Sequence, residues 1–180
     1  MATDAYTPIE SQTLSTTSSL LSFSSFSGYT DLVLEVNDNM SGASGFKVQF
    51  NSDTSANYGF ATLQGYSSGT GKSYRSTTNS PPYGSAFTNN FVFGDATNAN
   101  SFTPNIIEIF NYANSTTYKT IHWRWGSSIQ ANGNGDLGFQ IGVWRSISPI
   151  TSIQVSPWNA VNFNAGSTFN LYGIKAAVEV

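Results

Sequence analysis

The chain contains no cysteine, so neither a disulfide framework nor a thiolate metal site is open to it. It contains one histidine, His122, which excludes any metal site built on two. Charge is equally scarce: seven Lys and Arg stand against ten Asp and Glu, 9% of 180 residues, for a net charge of −3. The few cations are scattered and form no basic stripe that could neutralise a row of phosphates, so nucleic acid is not an expected partner. No apolar run approaches the roughly 20 residues that cross a bilayer, and no membrane partner is expected either. The opening "MATDAYTPIESQTL" lacks a basic and an apolar signal region, which predicts assembly in a cytoplasm without export by a signal peptide.

Neutral polar residues fill the space that charge leaves. Ser, Thr and Asn number 27, 19 and 18, more than a third of the chain, and aromatics make up 14%. That many aromatics with so little net charge is the opposite of a disordered composition. A length of 180 residues suits one domain with one continuous core.

Helical periodicity is nearly absent, whereas two-residue alternation recurs in short runs bounded by Gly, Asn, Ser and Pro. Leu32, Leu34 and Val36 alternate with Val33 and Glu35, and Phe46, Val48 and Phe50 with Lys47 and Gln49. Ile121, Trp123 and Trp125 alternate with His122 and Arg124, and Phe139, Ile141 and Val143 with Gln140 and Gly142. With further runs near 13–23, 58–66, 87–93, 105–111, 149–155 and 167–175, the pattern predicts about ten strands. One-sided strands of this kind bury well between two packed sheets. The expected fold is all-β, an antiparallel β-sandwich with jelly-roll connections. Residues 13–180 form its single domain, and residues 1–12, with Pro8 and no sustained alternation, read as an extended N-terminal arm. Outward apolar positions such as Val33, Ile107 and Ile109 suit either a subunit contact or a second core layer.

Residues 67–85, "SSGTGKSYRSTTNSPPYGS", are too long for a hairpin turn and contain Pro81 and Pro82, which predicts an exposed loop. Its Gly71-Lys72-Ser73 is the tail of a phosphate-binding loop, but that loop needs a glycine where Tyr66 stands and a helix where "YRSTTNSPPYG" follows. The segment is therefore read as a partner- or solvent-facing loop, with Lys72 and Arg75 as its contact residues.

Catalytic constellations are hard to assemble. His122 is read as projecting from the polar face of a strand beside Arg124, and no G-x-S-x-G elbow accompanies it. Acidic residues are dispersed, and Asp38, Asp53, Asp95 and Asp136 sit in turn-like contexts where such side chains cap backbone groups. A loop calcium stays open, but no metal ligand set stands out and no cofactor is expected. Exposed aromatics are the best sign of a ligand surface. Trp144, opposite Phe139 and Ile141 in alternation, and Trp158, in "SPWNA", are candidates for glycan stacking with Tyr74 and Tyr83. Trp144 suits a second packing layer or a subunit contact as well.

Five segments, "GYTDLVLEV" (28–36), "VQFNSDTSANYGFATLQG" (48–65), "IEIFNYANSTTYKTI" (107–121), "GVWRSISPITSIQVSP" (142–157) and "NFNAGSTFNLYGIKAA" (162–177), taken in order, resemble small structural proteins of tailed bacteriophages, especially marine and cyanobacterial ones. The resemblance spans roughly residues 6–177. It implies a non-enzymatic virion component, localised to the virion and assembled in the bacterial host cytoplasm. The expected role is capsid decoration: a homotrimeric cement protein on the outer surface of the major capsid protein, with arm contacts through Tyr6, Pro8 and Ile9. The alternative is a tail-fibre tip that recognises host surface glycans. The same segments predict an Asx-type turn at Asn51–Asp53, a turn at Gly166, and a bulky ring against a close backbone approach at Tyr172-Gly173.

Overall fold

A computed structural model describes residues 6–42, 44–66, 69–76, 91–96, 102–127 and 135–175. Among these residues every regular element is a strand: β1 (Tyr6–Thr13), β2 (Leu21–Ser24), β3 (Asp31–Asp38), β4 (Ser44–Phe50), β5 (Tyr58–Tyr66), β6 (Gly71–Ser76), β7 (Phe91–Ala96), β8 (Thr103–Phe110), β9 (Lys119–Gly126), β10 (Asp136–Trp144), β11 (Ser152–Pro157) and β12 (Thr168–Ile174). They form two antiparallel sheets, of order β1-β12-β3-β8-β9-β10-β5-β6 and β2-β11-β4-β7.

From β2 to β5 consecutive strands alternate between the sheets. The order β2-β11-β4-β7 opposite β3, β10, β5 and β6 is the two-Greek-key alternation of a jelly roll. The hairpin β8–β9 is inserted between β3 and β10, and β12 and β1 extend the sheet beyond β3. These additions give the larger sheet twice as many strands as its partner.

The core lies between the sheets. Leu171, Leu34, Ile107, Trp123, Gln140 and Thr62 stand in register across the larger sheet. Phe23, Ile153 and Phe50 do so across the smaller one. Trp123 and Phe46 meet between the sheets with ring centroids 4.7 Å apart. Burying side chains of this size contributes roughly 1.5–3 kcal/mol each, and it is what holds so weakly charged a chain together. As the alternation predicts, Leu32, Leu34 and Val36, Phe46, Val48 and Phe50, and Ile121, Trp123 and Trp125 are buried.

Four expectations change. First, residues 6–12 of the arm are extended but paired: β1 lies along β12 as an edge strand, with a register shift between Pro8 and Glu10. Second, residues 71–76 of the expected loop form β6, in unbroken register with β5. Pro81, Pro82 and the rest of 77–85 lie outside the described residues. Third, Ile107 and Ile109 face the core, and Val33, although on the outer row, is buried. Fourth, β10 is inverted: Gly138, Gln140, Gly142 and Trp144 point inward, and Phe139 and Ile141 face out.

The turns follow local chemistry. Asn51 takes a left-handed φ of 52°. Its side chain donates to the Pro149 carbonyl and accepts from the amides of Thr151 and Ser152. Asp53 accepts from the Ser55 amide in an Asx turn. Gly166, at φ 89°, closes the turn before β12. At Gly173 the close ring belongs to Tyr29, 2.2 Å from where a Cβ would stand.

Candidate interaction surface

Two polar clusters sit inside the sandwich. Asp38, at the end of β3, is buried, and its Oδ1 accepts from Asn105 Nδ2 at 2.9 Å. Asn105 is fixed in turn by Trp123, whose Nε1 donates to its Oδ1 at 3.0 Å. Asp38 Oδ2 has no hydrogen-bond partner. Burial pushes the carboxyl up to about 7, against the weaker opposing pull of its own backbone and Asn105.

The second cluster closes the end of the sheet where β9 begins and β10 ends. Trp144 Nε1 donates to Asp53 Oδ2 at 2.7 Å, and Asn57 Nδ2 donates to the same oxygen at 2.9 Å. Burial raises the Asp53 pKa, but hydrogen bonds from Asn57, Trp144 and Ser55 outweigh it and hold the carboxyl below its ordinary value. Lys119 is covered by its surroundings, and its Nζ donates to the carbonyls of Thr117 and Ser146. Burial lowers its pKa. Both clusters tie their side chains to neighbouring groups of the fold. Among the described residues, no group of three His, Asp or Glu is placed to hold a metal ion.

The outer face of the larger sheet is different in kind. Leu63 on β5 and Leu137, Phe139 and Ile141 on β10 are 62%, 66%, 39% and 46% exposed. Phe139 is directly opposite Leu63 on one side and Arg124 on the other, and Ile141 is opposite His122. The His122 ring lies edge-on to Phe139 at 5.6 Å and to Phe110 at 4.8 Å. Arg124 and Glu108 flank this stripe 3.8 Å apart. Leu63, Gly65, Gly71, Lys72, Ser73, Leu137 and Phe139 line an open groove of about 510 Å³ where the stripe meets β6. Grouped exposed apolar side chains with a polar rim are a feature of interaction surfaces.

The structure disperses the residues predicted to make contacts. Tyr6 is half exposed and sits edge-on to Tyr172, Pro8 is exposed, and Ile9 packs partly buried against the core, so Ile9 belongs to the sandwich. Lys72 and Arg75 are exposed on β6, with Lys72 Nζ 4.9 Å from the centre of the Tyr66 ring. Of the glycan candidates, Trp144 and Trp158 are differently placed. Trp144 is 2% exposed and hydrogen-bonded inside, which removes it. Trp158, 41% exposed, follows β11 in the smaller sheet, whereas Tyr74 lies on β6 at the edge of the larger one. Tyr83 lies outside the described residues. The alternation of β10 assigned its faces the wrong way round and so concealed Leu137, Phe139 and Ile141. The signal that identifies the inner face is Gly138, which leaves room for the ring of Trp125.

No family model matches the chain, and no curated protein or solved structure matches it significantly.

Proposed function

We propose that this protein is a non-enzymatic structural component of a virion, a capsid decoration or cement protein that binds the outer surface of the major capsid protein lattice and stabilises the head. The carrying observation is the exposed apolar stripe of Leu63, Leu137, Phe139 and Ile141 on the outer face of the wide sheet. Such a face suits a broad protein partner, and the ordered resemblance of five segments to phage structural proteins supplies the setting. A subunit that binds only the assembled lattice strengthens the particle by mass action. Homotrimeric assembly fits this role, because local three-fold positions call for three-fold ligands.

The test is where the protein sits and in how many copies. Quantitative mass spectrometry of purified particles and of separated heads and tails should find hundreds of copies on heads. A handful of copies confined to tails would instead support the fibre-tip reading, which retains the exposed Trp158 as a glycan-stacking residue.

A further inference from the structure

The larger sheet ends in two edges that differ chemically. β1 carries Pro8, which has no amide to donate, a register shift between Pro8 and Glu10, and Glu10 opposite Leu171 on the inward-facing row. Proline, a bulge and an inward charge each bar a further strand of any sequence. β6 has none of these backbone obstacles. It pairs with β5 without a shift from Gly65↔Gly71 to Phe60↔Ser76, and among the described residues no strand pairs with its outer side. Its only charged residues are Lys72 and Arg75, both exposed, so it is locally positive on a chain of net charge −3. Charges of one sign exclude strands of that sign and admit the opposite one.

We propose that the free edge of β6, together with the apolar groove beside it, is a strand-addition site for an extended acidic segment of a partner protein. Register fixes what that segment needs. Ser73 is opposite Leu63 and Gly71 opposite Gly65 on the outer row. Neither residue carries enough bulk to wall off the groove, so large apolar side chains of the guest opposite them lean across β6 onto Leu63 and Leu137. Arg75 is opposite Ala61 on the same row, and Lys72 is opposite Gln64 on the inward row. An antiparallel guest therefore reads acidic, any, apolar, acidic, apolar, from the position opposite Arg75 to the position opposite Gly71. Main-chain hydrogen bonds supply affinity, while the two apolar and two acidic positions supply specificity. The assignment does not depend on which particle carries the protein, because the edge should bind such a segment in isolation.

The probe is the capped peptide acetyl-Thr-Glu-Thr-Leu-Glu-Leu-Thr-amide, followed by amide hydrogen exchange and two-dimensional NMR of the whole chain. Slowed exchange at alternate amides of Gly71–Ser76 and shifted resonances at Leu63 and Leu137 are expected. The same peptide with Lys for Glu should bind at least tenfold more weakly. The variant K72E/R75E should reverse that preference, and its binding of the Lys peptide shows that it is folded. Three results would overturn the assignment: no binding of the Glu peptide, equal binding of both peptides, or outward β6 amides already protected in the free protein by the chain itself or a second copy.

Discussion

The indole of Trp125 occupies the space that a side chain at Gly138 would need: a Cβ there would lie 2.1 Å from Cζ2 of the ring. The two residues are directly opposite on β9 and β10. This pairing commits Gly138 to the inner row and places Leu137, Phe139 and Ile141 on the outside. The exposed stripe thus follows from the size of a core tryptophan.

Gly138→Ala should accordingly destabilise the fold. The ring is held in the core, and a methyl group forced against it costs on the order of 1–3 kcal/mol. Gly126→Ala, on the neighbouring strand with nothing within 4 Å of its Cβ position, is the control and should stay within about 0.5 kcal/mol of the wild type. Urea unfolding of both variants checks the pair, and equal midpoints would contradict the role of Trp125.

Asp38 should make the protein less stable as pH rises through the weakly acidic range. The carboxyl ionises near 3.8 when unfolded and near 7 when folded. Between these values the unfolded chain releases a proton that the folded chain keeps, so this contribution is full below about pH 4, declines up to about pH 7 and is constant above. Asp38→Asn removes the dependence. Relative to the wild type, the variant should gain stability from pH 4 to pH 7.5, by at most about 4 kcal/mol. Parallel pH profiles in urea unfolding would refute the assignment.

Asp53 should act in the opposite sense. Its folded pKa lies below its ordinary value, so its stabilisation is present above about pH 4 and is lost as pH falls through the folded pKa. Asp53→Asn loses a charged acceptor for Trp144, Asn57 and Ser55 and should cost about 1–2 kcal/mol at pH 7. The cost should shrink as the pH falls below about 4, which a series of thermal melts from pH 7 downward can check.

Strands with a single apolar face were legible in the sequence, and those with polar groups inside were not. β3, β4 and β9 read correctly because each carries three successive apolar residues on its inner row, with the buried Asp38, Ser44 and Lys119 only at their ends. β8 was misread because Asn105 and Thr103 are buried beside Ile107 and Ile109, with Asn105 bonded to Asp38 and Trp123. Hydrogen bonding of that kind is invisible to a count of apolar alternation. β10 was inverted because glycine and a buried Gln140, whose Oε1 accepts from Thr62 at 3.0 Å, look like a solvent face. The edge strands β1 and β6 were read as arm and loop because an edge needs no apolar row. The exposed apolar stripe was missed for the same reason as the face of β10, since its side chains look like core in one dimension.

The central claim is that the outer stripe attaches the protein to a capsid. Leu63→Asp with Phe139→Asp changes two outward-facing positions and should leave the cooperative fold intact, at the loss of the Phe139–His122 ring contact. The most direct measurement is binding of the wild type and this double variant to stripped heads of the tailed phage proposed to carry the protein, scored by co-sedimentation. The account predicts saturable binding of the wild type at hundreds of copies per head and loss of binding by a correctly folded double variant. Binding of the variant at wild-type strength, or failure of the wild type to bind heads at all, would contradict it.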